Sequence, residues 1–266
     1  MCNPPFYSSR EEVLSSAEAK ELGPSGICTG AETEMITPGG EAAFVRRMVQ
    51  ESLQLKDRCC WFTSMLGKMS SLTDVIQSLK SEKVDNYAIT EFVQGKTRRW
   101  AIAWSFGDVH LPDSLARISN SALQSIMPSR NTLRQTYAQF QTAVEAKEAL
   151  LKVLKSIDGV AITSRNLTSE DELLLHASQN TWSRAARRRK LIPEDPTAEP
   201  QSALPALVCR MRCSGNSSDT QDSSGHESVI LECDWVQGKD RGLFESFVSH
   251  VARKLDTLAR NLDVEM

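Results

Sequence analysis

The strongest constraint on the fold is an alternation over residues 1–107, where segments with helical apolar spacing take turns with short β-forming runs. A polar helix is expected over Glu11 to Leu22, followed by a glycine-rich loop from Gly23 to Gly40. Phe44, Val45, Met48, Val49, Ser52 and Leu53 then share one face of an amphipathic helix. Cys60 to Leu66 reads as a strand. Ser71 and Asp74, three residues apart, offer a helix start, and Leu72, Val75, Ile76 and Leu79 supply its apolar stripe. Tyr87–Val93 and Trp100–Phe106 are β-rich runs joined by Gln94-Gly95-Lys96-Thr97, the composition of a hairpin turn. This order predicts an α/β fold whose mostly parallel sheet carries helices on its faces and ends in an antiparallel pair.

The pattern then changes. Residues 108–130 mix Pro, Ser and Asn with short apolar pieces and are expected to link two units. Residues 131–266 read as α+β. A strand near Leu133–Phe140 precedes a helix carrying Val144, Leu150, Leu151 and Leu154, and Val160–Thr163 is a short strand. Residues 207–213 and 229–236 alternate as two half-buried strands, with Arg210 and Arg212 expected to face Glu232 and Asp234. Phe244, Phe247, Val248, Val251, Leu255, Leu258 and Leu262 form one stripe of a long final helix. The segments near 191–205 and 214–227 are expected to be mobile.

Composition narrows the functional classes. The seven cysteines are odd in number and irregularly placed, which fits reduced thiols and an intracellular protein. Cys209 and Cys213 suit one face of a strand better than a zinc site, since no second pair completes one, so no metal is expected. The longest apolar candidate, Trp100 to Phe106, is far too short to span a bilayer, and no membrane association or signal peptide is expected. No nucleophile–base pair stands out among His110, His176, His226 and His250, so hydrolysis has no support. The net charge of −3 is uninformative, but its distribution is not. Arg184, Arg187, Arg188, Arg189 and Lys190 form a dense basic run beside Trp182, read either as an RNA grip or as a nuclear-targeting signal. Lys96, Arg98 and Arg99 cluster at the hairpin turn, read as phosphate contacts or as a solvated turn.

Asn3-Pro4-Pro5-Phe6 carries the sharpest chemistry. An enzyme that methylates an exocyclic amine must hold a flat NH₂ group and draw its lone pair out of ring conjugation. An Asn carbonyl and a backbone carbonyl can accept the two N–H groups, two prolines stiffen the loop, and an aromatic ring can stack on a flipped base. Read alone, the motif is equally an Asn-Pro turn at the start of the chain.

With its surroundings, the sequence resembles the family of the U6 small nuclear RNA adenine-N6 methyltransferase, methyltransferase-like protein 16, related to bacterial adenine-N6 methyltransferases of large-subunit ribosomal RNA. The similar stretches are Met1–Phe6, Thr29-Gly30 with Thr33-Glu34, Gly39-Gly40-Glu41 with Phe44-Val45, and Ser52–Lys56. They continue as Met65–Lys68, Thr90–Gly95, and Arg99-Trp100-Ala101 with Ala103–Phe106. The resemblance implies the C-terminal half of a Rossmann-like class I methyltransferase sheet over 1–107, followed by a smaller α+β domain with an accessory RNA-binding role. It implies a chain truncated at its N-terminus, lacking most of the cofactor-binding half. S-adenosyl-L-methionine is the implied cofactor and structured RNA with an accessible adenine the implied partner. Asn3 and Pro4 would accept hydrogen bonds from the amine, Pro5 would stiffen the loop, and Phe6 would stack on adenine. Asn3 would also lie against the methyl donor. Glu34, Gly39, Gly40 and Glu41 would form a loop over the substrate, against a plain helix start as the alternative reading. Two rivals remain at this level: glutamine methylation in a protein, and an RNA-binding protein without catalysis.

Overall fold

The computed structural model describes residues 1–18, 31–95, 97–163, 172–183, 186, 188, 204–215 and 228–265. They form two compact units, one of Met1–Gly107 with Ser114–Ser129 and the other of Asp108–Asp113 with Arg130–Met266. Residues 108–130, expected as a linker, are therefore divided between the units. Leu123 and Met127 enter the first core, and the Tyr87 hydroxyl donates to the Ile126 carbonyl at 2.9 Å. In the second unit His110 N donates to the Val236 carbonyl and the Asp113 carboxylate accepts from Asn131 N. The segments near 191–205 and 214–227 fall largely outside the described residues.

The first unit contains α1 (Arg10–Glu18), α2 (Glu32–Met35), α3 (Gly40–Leu55), β1 (Phe62–Leu66), α4 (Met69–Ser81), β2 (Tyr87–Gln94) and β3 (Thr97–Trp104). The periodicity of α3 and α4 has the expected consequence. Val45 and Val49 of α3, and Leu72, Val75, Ile76 and Leu79 of α4, are buried in one core with Leu66, Ile89, Ile102 and Trp104. Trp100 and Trp104 both pack inward. Trp104 stacks on Phe62 with centroids 5.7 Å apart and donates its indole N–H to Ser52 Oγ at 3.0 Å. That bond places Ser52, a polar residue of the apolar stripe, in the core with its hydroxyl satisfied.

The first unit is α/β and ends in the expected antiparallel pair, β2 with β3, but its sheet is not the mostly parallel one expected. Its order is β1-β3-β2, and both pairings are antiparallel. β3 folds back between β1 and β2, so these two run the same way without touching. The parallel pairing among the described residues is confined to isolated bridges, Cys2 with Ser64 and Tyr7 with Ile36. The start of α4 also differs. Lys68, not Ser71, is the capping residue, and Ser71 is buried.

The second unit, expected as the smaller domain, holds the larger sheet. After a short helix α5 (Asp113–Ala116), of which only Asp113 belongs to this unit, the chain forms β4 (Thr132–Tyr137), α6 (Ala143–Lys155), β5 (Val160–Thr163), β6 (Glu172–Ala177), β7 (Leu207–Gly215), β8 (Val229–Gln237) and α7 (Arg241–Glu265). The strands are antiparallel in the order β4-β8-β7-β6-β5. Leu150 and Leu154 of α6 and Phe244, Phe247, Val251 and Leu255 of α7 share a core with Cys209, Met211, Leu231 and Cys233. Burial pushes the Cys209 thiol well above its ordinary value, as suits a thiol used for packing. Arg210 lies opposite Asp234 and Arg212 opposite Glu232, as the alternation implied, and Glu232 also pairs with Arg134 at 2.6 Å. Trp182 belongs to this core, its ring 4.8 Å from that of Phe247, and so does not serve as an exposed aromatic beside the basic run. Among the described residues no helix is long and apolar enough to cross a membrane.

Two positions on α6 separate core from surface. Leu150 is fully buried, whereas Val144, placed with it by the sequence reading, is 66% exposed. Leu150→Ala should cost about 2–5 kcal/mol of unfolding free energy, and Val144→Ala should change it by no more than about 0.5 kcal/mol. Denaturant titrations followed by circular dichroism measure both. Equal effects would mean that α6 presents a different face.

Candidate active site

The Asn3–Phe6 loop begins at a backbone pairing. Cys2 N donates to the Thr63 carbonyl at 2.8 Å and Met65 N donates to the Cys2 carbonyl at 3.1 Å, so the chain enters parallel to β1. The loop that follows therefore emerges at the carboxyl end of that strand, beside Gly67-Lys68. This is where α/β sheets bind their ligands. On the far side, Tyr7 N donates to the Met35 carbonyl and Thr37 N to the Tyr7 carbonyl, each at 3.0 Å. The loop is thus tied at both ends. Pro4 is buried and Asn3 is exposed, its side chain making no hydrogen bond to the described residues.

Phe6 sits in a slot. A methyl group added at Gly67 would come within 3.3 Å of Phe6 Cδ1, so the absence of a side chain there admits the ring. The Arg99 guanidinium lies 5.0 Å from the ring centroid, a cation–π contact. Phe6 and Arg99 are far apart in sequence, and only the β2–β3 hairpin brings them together.

Two carboxylates hold the surrounding corner. Glu41 is 2% exposed, yet both of its oxygens are satisfied, Oε2 by Gly67 N at 2.6 Å and Oε1 by Lys68 N at 2.9 Å. It supplies the start of α4 with acceptors that no neighbouring side chain provides. Gly39 and Gly40 have φ of 77° and 64°, the left-handed conformation that glycine adopts freely, and this turn directs Glu41 inward. Glu12 performs the second tie. Its Oε2 accepts from Ser8 N at 2.7 Å and Ser8 Oγ at 2.6 Å, and its Oε1 pairs with Lys68. The Lys68 and Ser8 hydrogen bonds hold the Glu12 carboxyl down at about 2.

The candidate residues separate accordingly. Asn3, Pro4, Pro5, Phe6 and Arg99 gather at one end of β1 with Gly40 and Glu41. Glu41 is a buried backbone acceptor, so its expected place in a loop over the substrate is not what the structure gives it. Glu34 is exposed and accepts from Ala31 N at 3.2 Å, a local cap of α2. Arg98 is exposed and paired with Glu91 at 3.2 Å. Lys96, Arg184, Arg187, Arg189 and Lys190 lie outside the described residues, and Arg188 is exposed. Sequence reasoning missed Glu12, which sits in an otherwise polar helix with nothing to mark it.

Residues 1–108 match the model of a family described as RNA methyltransferase. The U6 small nuclear RNA (adenine-(43)-N(6))-methyltransferase of Schizosaccharomyces pombe is 32% identical over 255 residues, 96% of this chain and 59% of that protein. The RNA N(6)-adenosine-methyltransferase METTL16 of Mus musculus is 32% identical over 261 residues, 90% of this chain and 47% of the mouse protein. The chain thus spans about half the length of these curated relatives. A crystal structure of the human Mettl16 catalytic domain with the MAT2A 3′UTR hairpin 1 is 40% identical, covering 45% of this chain and 40% of that one at a TM-score of 0.38.

The Glu12 tie predicts a titration. A carboxyl whose folded value lies below its ordinary 4.5 stabilises the fold above that value, and the contribution fades as pH falls from 4.5 towards 2. Carboxyl-carbon NMR should therefore place the Glu12 midpoint near 2, and Lys68→Met should raise it. An unshifted midpoint in the parent protein would remove the tie. Glu41→Ala should be more damaging, at about 2–5 kcal/mol, because it strands two backbone N–H groups in a buried corner.

Proposed function

Because residues 1–108 match the RNA methyltransferase family model, we propose that the chain presents an adenine amine for methyl transfer from S-adenosyl-L-methionine to N6, in a structured RNA. The observation that supports this best is the exposed Asn3 carboxamide, without a hydrogen-bond partner among the described residues, at the carboxyl end of the β1 corner, followed by a stiffened turn and a held aromatic ring. The curated relatives bear the names of RNA adenine-N6 methyltransferases, which favours RNA over a protein glutamine as acceptor.

Each residue has a separate task in this reading. Asn3 Oδ1 accepts one N–H of the adenine amine and the Pro4 carbonyl accepts the other. Taking up both hydrogens in fixed directions turns the nitrogen lone pair away from ring conjugation, as nucleophilic attack requires. Pro4 and Pro5 hold φ near −65°, so the acceptors need no ordering when the base arrives. Phe6 stacks on the adenine once it leaves the helix. Asn3 would also lie against the methyl donor. When bound, S-adenosyl-L-methionine supplies an electrophilic methyl group on sulfur. Arg99, and Lys96 and the Arg184–Lys190 run by their charge, contact RNA phosphates, and the small nuclear RNA named for the fission-yeast relative supports a nuclear over a cytoplasmic site of action.

Asn3→Ala in the natural gene product should lower the turnover number by about 10²-fold or more, with unchanged melting temperature because Asn3 is exposed. Tritium transfer to an RNA hairpin carrying one unpaired adenine measures this. Near-normal turnover would reject the assignment, and RNA binding without transfer by the parent protein would favour a non-catalytic binder. Replacing Arg187, Arg188 and Arg189 with Gln should flatten the salt dependence of RNA affinity by about 0.7 in slope for each phosphate no longer neutralised. Superimposable slopes would leave the run a targeting signal.

A further inference from the structure

The β2–β3 hairpin leaves a large aromatic ring in the open. Phe92 is 51% exposed, an unusual position for phenylalanine on a strand that also carries the core residues Tyr87 and Ile89. Phe92 is the register partner of Arg99, and residues directly opposite in an antiparallel pair project from the same face. Arg99 in turn lies over the Phe6 ring. Phe6, Arg99 and Phe92 therefore form a row, aromatic then cation then aromatic, leading from the catalytic loop out along the hairpin. Arg98 belongs to the other face, where Glu91 pairs with it. Among the described residues Arg99 has no carboxylate partner, so the row keeps a net positive charge.

We propose that Phe92 is a stacking platform for a single-stranded nucleotide flanking the target adenine, with Arg99 meeting the phosphate between them. This rests on the RNA reading above and extends it to a second base. The occupant follows from charge and shape: an exposed ring beside a cation that no carboxylate neutralises suits a base joined to a phosphate. Spacing limits which base it is. Cross-strand Cβ atoms lie about 5 Å apart, the arginine side chain adds up to about 6 Å, and its guanidinium is 5.0 Å from the Phe6 centroid, which puts Phe92 no more than about 16 Å from Phe6. At about 3.4 Å per stacked nucleotide, the base on Phe92 lies within about five positions of the adenine. Stacking accepts any base, so this contact demands an unpaired nucleotide there and does not read its identity.

The test pairs protein and RNA changes in the natural gene product. Hairpins that are identical except for one abasic position within about five nucleotides of the adenine, on either side, are titrated by fluorescence anisotropy. Phe92→Ala should raise Kd by roughly 5- to 150-fold, the range for one base–aromatic stack, while Phe92→Trp retains affinity. At one flanking position the abasic change should weaken the parent protein by a similar factor and leave Phe92→Ala unaffected. Strictly additive effects at every position would overturn the proposal while leaving the RNA reading intact. A parent protein that binds none of the hairpins would instead overturn the RNA reading. A fallen melting temperature or altered oligomeric state in Phe92→Ala would show that the ring is covered by protein, and would also overturn the platform.

Discussion

The Glu41 carboxylate is the constraint on which the site depends. It sits buried in the first unit, where an unsatisfied charge is strongly destabilising, and the two N–H groups of Gly67 and Lys68 are its compensation. One side chain thereby joins the start of α3, the end of β1 and the start of α4. Phe6 occupies the space that Gly67 leaves open at this corner, and Lys68 reaches across it to Glu12. Loosening Glu41 removes the floor against which the Asn3–Phe6 loop is set. The loop runs from one backbone bridge at Cys2 to another at Tyr7, with the Phe6 ring seated between them against Gly67 and Arg99.

The division of labour follows from burial. Glu41 is enclosed and structural, Glu12 is half-buried and ties the loop to Lys68, and Asn3 is exposed with its carboxamide unbonded among the described residues. A residue that must grip a substrate cannot also be committed to the fold. The same logic separates Arg98, neutralised by Glu91, from Arg99, whose charge rests on an aromatic face.

What the sequence discloses is local. The stripes of α3, α4 and α7, the inward packing of Trp100 and Trp104, and the pairing of Arg210 and Arg212 with Asp234 and Glu232 all follow from spacing along one element or one strand pair. Where structure and expectation differ, the deciding partner is distant in the chain. Capping rules look three residues ahead and so point to Ser71 for α4, whereas the acceptor is Glu41. Chain order suggests a parallel sheet because it does not reveal that β3 inserts between β1 and β2. β6 is hidden because Leu173, Leu174 and Leu175 run together without the alternation that marks a half-buried strand. The Asn3–Phe6 motif is legible as chemistry, but the Gly67 slot and the Arg99 contact that hold Phe6 exist only once the fold is formed.

In the proposed function, the corner built on Glu41 presents Asn3 and Pro4 to an adenine amine. A crystal structure of the natural gene product with an RNA hairpin bearing one unpaired adenine tests it most directly. The adenine N6 should lie about 2.7–3.2 Å from both Asn3 Oδ1 and the Pro4 carbonyl oxygen, with its ring against Phe6. An adenine bound elsewhere, or one whose amine faces away from Asn3, would rule out that role for the Asn3–Phe6 loop.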